Sequence, residues 1–81
     1  MNTIEIHRRV QDIFRGVFDD ESLVIARETS APDIEGWDSL AQINLVVSME
    51  KEFRVKFTLQ ELAELHNVGD MLDLIASKEP K

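Results

Sequence analysis

The chain has 81 residues, enough for one small domain but not for a second of ordinary size. Hydrophobic residues make up 43% and charged residues 31%, which is typical of a globular protein rather than a disordered one. The formal net charge of −7 argues against binding to nucleic acid or to an anionic membrane surface. We therefore expect a single domain over residues 1–81 whose partners present basic surfaces.

The absence of cysteine excludes a disulfide framework, a thiolate zinc site and a cysteine nucleophile. The longest apolar run is only Leu23 to Ala26, far short of a membrane span. The acidic Glu5 lies in a start that has no unbroken apolar stretch, which argues against a signal peptide. These features predict a cytoplasmic protein without membrane insertion.

The first part of the chain consists of a helical segment and a long connection. The first is predicted to be a helix over about residues 3–17, because Asn2 and Glu5 have capping-box spacing and apolar residues recur at helical intervals. Residues 19–38 lack that period, contain Pro32 and Gly36, and hold seven acidic residues against one arginine. They are predicted to be a long acidic loop, pinned to the core by some of Leu23, Val24, Ile25 and Ile34.

The second helix is predicted over about residues 39–53, with Asp38 or Ser39 as its N-cap and Gln42 three residues after Ser39. Its apolar arc is broad. The centre of the arc consists of Leu45, Val46, Met49 and Phe53, and a second, half-buried stripe consists of Leu40, Ile43 and Val47.

Two shorter helices complete the prediction. Thr58 and Glu61 form a capping box that opens a helix over about residues 59–65, and Asn67 can cap a helix over about residues 68–77. No strand pattern is long enough to pair on its own. The predicted fold is all-α: a four-helix bundle with a long first loop and a short third helix.

Enzymatic groups are scarce. His7 and His66 are predicted to be surface or boundary residues, and no nucleophile-elbow motif or phosphate-binding glycine loop is present. An EF-hand register on Gly36 puts Ala31 and Gln42 at ligand positions, where both are unsuitable. We therefore predict no catalytic residue, no metal site and no enzymatic activity.

Ser39 lies where the long loop turns into a helix. Helix N-termini present free N–H groups and the positive end of the dipole, so a phosphate ester on this serine would lie in a favourable field. The alternative is that Ser39 is simply an N-cap.

The segment Trp37-Asp38-Ser39-Leu40, followed by Met49-Glu50-Lys51-Glu52-Phe53, resembles the acyl carrier protein family. The resemblance continues through Leu59, Glu61, Leu62 and Val68-Gly69-Asp70, and is weakest over residues 1–30. It implies that Ser39, flanked by Asp38 and Leu40, carries 4′-phosphopantetheine, whose thiol holds acyl groups as thioesters. It also implies a monomer whose partners are a phosphopantetheinyl transferase and the acyl-loading ligase or synthase enzymes of fatty-acid, polyketide or related biosynthesis.

The sequence departs from the pattern of carriers for central fatty-acid synthesis, which have acidic residues where this chain has Ala41, Asn44 and Lys51. This departure favours a specialised carrier. Its partners are predicted to rely more on apolar contact than on charge, at a surface made of Leu40, Ile43, Asn44, Val47 and Glu50. The alternative function is an unmodified four-helix interaction module that binds through the Leu40–Ile43–Val47 stripe.

Overall fold

The computed structural model describes residues 2–78, which form four α-helices and no strand. The helices are α1 (Thr3–Val17), α2 (Ser39–Phe53), α3 (Leu59–Ala63) and α4 (Val68–Lys78), and a short 3₁₀ turn (Ala31–Asp33) lies in the long first loop. The predicted all-α fold with its short third helix is confirmed. Residue 1 and residues 79–81 of the predicted domain lie outside the described part.

Two helix ends differ from the prediction. The predicted helix over 59–65 is two residues too long, because the N–H of Glu64 bonds back to the carbonyl of Glu61 and closes the last turn as a 3₁₀ turn after Ala63. The fourth helix continues one residue beyond the prediction, to Lys78. Lys78 pairs with Glu61 of α3 at 2.9 Å, so this last turn has a tertiary contact that the apolar periodicity could not indicate.

The three long helices share one apolar core. The helix α1 buries Ile6, Val10 and Phe14, which are four residues apart and therefore lie on one face. It packs against both α2 and α4. The predicted centre of the α2 arc is buried as expected, and α4 contributes a matching face: Leu45, Val46, Met49 and Phe53 from α2, with Val68, Met71, Leu72 and Ile75 from α4.

Side-chain caps begin α1, α3 and α4, and Asn2, Thr58 and Asn67 serve as predicted. The predicted capping-box half of Glu5 is wrong, because its carboxylate pairs with Arg8 and Arg9 instead. The Asn2 side chain accepts the N–H of Glu5 at 2.8 Å, and Asn67 accepts that of Asp70 at 2.9 Å. Thr58 and Glu61 bond reciprocally, at 3.1 and 2.8 Å. Each such cap stabilises a helix by about 1 kcal/mol.

The long loop is fastened to α1 by three polar side chains spaced four residues apart. His7 Nε2 lies 2.9 Å from the carbonyl oxygen of Ile25, and Gln11 accepts the N–H of Ile25 at 3.0 Å. Arg15 donates to the carbonyl of Leu23 at 2.7 Å. Ile25 is therefore the main apolar anchor of the loop, whereas Val24 points outward and is 72% exposed.

None of the helices within residues 2–78 has the length and apolar character that crossing a membrane requires.

Candidate functional site

Ser39 is the first residue of α2 and is exposed. Of the two predicted caps, the structure selects Asp38, whose side chain accepts the N–H of Ala41 at 2.9 Å. The capping requirement of α2 is thus met without the Ser39 hydroxyl. Ser39 is exposed at this helix start, and its hydroxyl is not needed as the cap.

The chain reaches this start through a tight turn. Gly36 has a φ of 88°, a left-handed conformation that glycine adopts without steric cost. The N–H of Trp37 bonds to the carbonyl of Ile34, and the N–H of Asp38 bonds to that of Gly36 at 2.9 Å. The turn orients Asp38 as the cap and places Ser39 immediately after it.

Trp37 holds the turn against the helices. Its ring lies edge-on to Phe14, with centroids 5.2 Å apart and planes at 83°, a favoured arrangement for aromatic pairs. Its Nε1–H donates to Oε1 of Gln42 on α2 at 2.8 Å. The capping interaction predicted from the spacing of Ser39 and Gln42 is therefore wrong, because the Gln42 side chain accepts a hydrogen bond from the tryptophan instead.

The electrostatic field at Ser39 has two opposing parts. The N–H groups of the first turn and the helix dipole favour an anion at this end of α2. The Asp38 carboxylate already occupies the N–H of Ala41 and adds a negative charge beside the serine. A phosphate ester on Ser39 would therefore be attracted less strongly than a phosphate at a helix end without an acidic cap.

An open groove of about 490 Å³ runs beside the serine. It is lined by Ala31, Trp37, Asp38, Ser39, Gln42 and Ile43. A smaller and more enclosed space of about 90 Å³ lies behind it, toward α4, and is lined by Ala31, Trp37, Gln42, Leu65, His66, Asn67 and Met71. The two share Ala31, Trp37 and Gln42. The sequence indicated neither space, since both depend on how the loop lies over α2.

The predicted apolar stripe of α2 is more exposed than expected. Leu40 is 67% exposed, Ile43 58% and Val47 42%, so the description of this stripe as half-buried is wrong. Asn44 is exposed beside them. The stripe lies on a different arc of α2 from Leu45, Met49 and Phe53, which enter the shared core.

Two other positions on α2 differ in role from the sequence interpretation. Ala41, one of the positions compared with acidic residues of other carriers, is buried at 9% exposure and does not face a partner. Glu50 is half-buried, and its Oε2 accepts the N–H of Phe57 at 2.9 Å. Glu50 therefore supports the segment after α2, which is a structural role that its predicted place in the partner surface did not include.

A second open groove, of about 540 Å³, lies between α1 and α2 at the far end of the stripe. Val47 and Asn44 form its α2 wall, together with Ser48, and Gly16 leaves room in the α1 wall. Within residues 2–78, no group of three or more histidine or carboxylate side chains is arranged to hold a metal ion.

A family model described as "Phosphopantetheine attachment site" matches residues 8–75. The chain is 31% identical to an acyl carrier protein of Porphyromonas gingivalis over 88% of its length and 91% of the relative. It is 33% identical to an acyl carrier protein of Thermosynechococcus vestitus, with 96% of each chain covered. These matches show that the chain belongs to the acyl carrier protein family.

Solved structures agree. The solution structure of a holo acyl carrier protein from Geobacter metallireducens has a TM-score of 0.85 and 52% identity, covering 90% of this chain and 84% of that one. An acyl carrier protein from Thermotoga maritima, at 22% identity and a TM-score of 0.81, shares the fold; the match covers 96% of this chain and 91% of that one. Members of the family are carriers rather than catalysts, and their prosthetic group is covalent 4′-phosphopantetheine. The predictions of a carrier, of this cofactor and of no enzymatic activity are confirmed.

Proposed function

We propose that the Ser39 hydroxyl is the attachment point of 4′-phosphopantetheine, and that the arm presents acyl thioesters to partner enzymes. The observation that carries this proposal is the exposed Ser39 at the start of α2, with Asp38 serving as the cap. The family match spans this position. Asp38 and Leu40 flank the attachment point: one fixes the helix start, and the other presents an exposed apolar side chain to the incoming enzyme.

The attachment reaction forms a phosphodiester between Ser39 Oγ and the pantetheine-bearing phosphorus of coenzyme A. The pyrophosphate bond of coenzyme A breaks, its adenosine bisphosphate portion leaves, and the serine proton is transferred to a base of the transferase. The chain contributes the oxygen of an exposed serine at the start of a helix. Mg²⁺ belongs to the transferase.

Partner enzymes dock on the exposed α2 surface that includes Leu40, Ile43, Asn44 and Val47. Apolar side chains at the centre of an interface supply most of its binding energy, whereas rim charges mainly set the association rate. The acidic loop before Ser39 steers basic partners toward the site, and its charges act over about 8–10 Å at physiological salt. Carriers of central fatty-acid synthesis have acidic residues where this chain has Asn44 and Lys51, both of which are exposed. We therefore propose a specialised carrier. We further propose that it works in the cytoplasm as a monomer.

The test is intact-mass measurement after incubation with a phosphopantetheinyl transferase, coenzyme A and Mg²⁺. The wild type should gain the mass of one phosphopantetheine group, and Ser39→Ala should gain none. Ser48→Ala is the matched control, since Ser48 lies on the same helix, and it should be modified like the wild type.

Ser39→Ala should also remain folded, with a change in stability within about 0.5 kcal/mol, because the hydroxyl does not cap the helix. A folded Ser39→Ala variant that still acquires the arm would place the attachment elsewhere. An unmodified wild type across several transferases would instead favour the unmodified interaction module.

A further inference from the structure

The C-terminal end of α2 carries a cluster of exposed cations. Lys51, Arg54 and Lys56 lie within a stretch of six residues, and all three are exposed. Within residues 2–78, none of them takes part in an ion pair. Such a cluster contrasts with the net charge of −7 of the whole chain. We refer to these three residues as the basic pole.

The carboxylates next to the basic pole already have partners. Glu52 pairs with Arg9 of α1 at 2.8 Å, and Glu50 accepts the N–H of Phe57 at 2.9 Å. The pair between Glu52 and Arg9 is neutral as a whole. Even when the charge of Glu50 is counted against it, the basic pole therefore stays positive.

Local stability does not explain the cations at and beyond the end of α2. Arg54 ends the helix in a left-handed conformation, with a φ of 56°. Glycine adopts this conformation without steric cost and is the usual residue there. The helix dipole favours a cation in the last turn, which accounts for Lys51 but not for Lys56, which lies beyond the helix. A bulky residue kept in a strained conformation points to a role other than stability.

The opposite end of α2 is acidic. The ring of Phe18, just after α1, lies 6.2 Å from that of Trp37, so the acidic residues that follow Phe18 lie at the same end as Ser39. Because α2 has 15 residues, about 22 Å separates its two ends. Charges in physiological salt are screened over about 8–10 Å. The acidic loop and the basic pole therefore act on a partner separately.

We propose that the basic pole docks on an acidic patch of the enzyme that loads the arm, while the acidic loop faces a basic rim around the entrance of that enzyme's active site. The proposal rests on the carrier function and on attachment at Ser39. Two opposite charges at a fixed separation orient the carrier before contact, so that Ser39 meets the entrance. Complementary charges of this kind mainly raise the association rate.

The first experiment measures kcat/KM for acyl loading of the holo protein. Lys51→Gln and Arg27→Gln each remove one positive charge, the first from the basic pole and the second from the acidic loop. We expect Lys51→Gln to lower kcat/KM about twofold to fivefold, the change that one exposed ion pair supports. Arg27→Gln should not lower it, because it makes the acidic loop more negative. The difference should vanish in about 1 M salt, where the screening length is roughly 3 Å.

Equal losses in the two variants would show that only net charge matters, which would overturn the proposal. Circular dichroism checks that both variants are folded. Intact mass separates this failure from failure of the carrier function. A wild type that gains no arm refutes attachment, whereas loaded variants with wild-type kcat/KM refute the basic pole alone.

Arg54→Gly separates function from stability. Glycine relieves the left-handed conformation, so the variant should have a higher melting temperature than the wild type but a lower kcat/KM for loading. Arg54→Lys keeps the charge and should be loaded like the wild type. An Arg54→Gly variant that is loaded at the wild-type rate would remove Arg54 from the docking surface.

The second experiment tests the chemistry of the partner with probes of known composition. An oligoglutamate peptide is added to the holo protein, with an oligoglutamine peptide as the matched control. The backbone N–H signals of Lys51, Arg54 and Lys56 should shift with the first peptide and not with the second. Equal responses to the two peptides would contradict charge recognition. A response only to vesicles of anionic phosphatidylglycerol would assign the basic pole to a membrane surface and overturn the proposed protein partner.

Discussion

The backbone N–H of Gly69 donates to the carbonyl oxygen of Arg27 at 2.8 Å, which joins the long acidic loop to the first turn of α4. The approach is so close that a Cβ on Gly69 would lie 3.0 Å from that oxygen and 3.3 Å from the Arg27 side chain. The N–H of Val68 donates to the carbonyl of Thr29 in the same way, also at 2.8 Å. The loop carbonyls thus satisfy free donors of α4 and hold the loop in place.

Gly69→Ala is expected to destabilise the protein even though alanine is the better helix former. The new methyl group must displace the Arg27 backbone that the Gly69 N–H binds, and overpacking of this kind costs about 1–3 kcal/mol. The helix-propensity gain of about 1 kcal/mol offsets only part of that cost. A net loss of about 1 kcal/mol lowers the melting temperature by roughly 4–8 °C in a domain of this size.

Gly16→Ala is the matched control for this change. Gly16 is also helical, but a Cβ there meets nothing within 4 Å, so the variant should be up to about 1 kcal/mol more stable than the wild type. Thermal unfolding followed by circular dichroism measures both. A Gly69→Ala variant that is stabilised as much as Gly16→Ala would show that the Arg27 backbone moves away from the new methyl group without a loss of stability.

Val47→Ala should slow acyl loading by the native partner more than Glu50→Gln does. Val47 is 42% exposed on the proposed docking surface, and losing its methyl groups from an interface costs about 1 kcal/mol, or roughly fivefold in rate. Glutamine at position 50 keeps an oxygen that can accept the N–H of Phe57, so this variant removes the charge and spares the fold. The measurement is a loading assay on folded variants.

The opposite order, with Glu50→Gln the more damaging, would contradict apolar docking. Asn44→Glu extends the test, since it restores a negative charge at an exposed position. It should improve recognition by fatty-acid-synthase enzymes. Ala41→Asp is unsuitable for this purpose because it would bury a charge.

Glu61 should make the stability of the protein sensitive to acid. The N–H of Thr58, and then the Lys78 ammonium, lower the pKa of the Glu61 carboxyl below its ordinary value. Because the folded pKa is the lower one, this stabilisation is present above the ordinary glutamate pKa of about 4.3 and is lost as the pH falls through the folded value. The wild type should therefore be more stable than Glu61→Gln at pH 7, and the difference should shrink in acid.

Melting temperatures of the two proteins from pH 7 downward measure this difference. Glu64→Gln makes the same substitution at an exposed glutamate and controls for the loss of one negative charge. A gap between wild type and Glu61→Gln that stays constant into strong acid would show that the capping box does not depend on the charge.

Local patterns in the sequence were sufficient to predict the helices, three of the caps and the core face of α2. Each depends on residues three or four apart, and helix geometry converts that spacing into a shared face without reference to the rest of the chain. The position of Ser39 at a helix start, and with it the resemblance to the acyl carrier protein family, also followed from the sequence.

Interactions that depend on how the long loop lies against the helices were decided only by the tertiary structure. Whether Asp38 or Ser39 caps α2, and whether Gln42 serves a cap or the tryptophan, depends on where the loop places Trp37. The loop in turn is positioned by α1 and by the close approach of Arg27 to Gly69. The exposure of the α2 stripe depends on which arc of α2 the rest of the domain covers, because a broad apolar arc does not by itself specify which part will stay exposed.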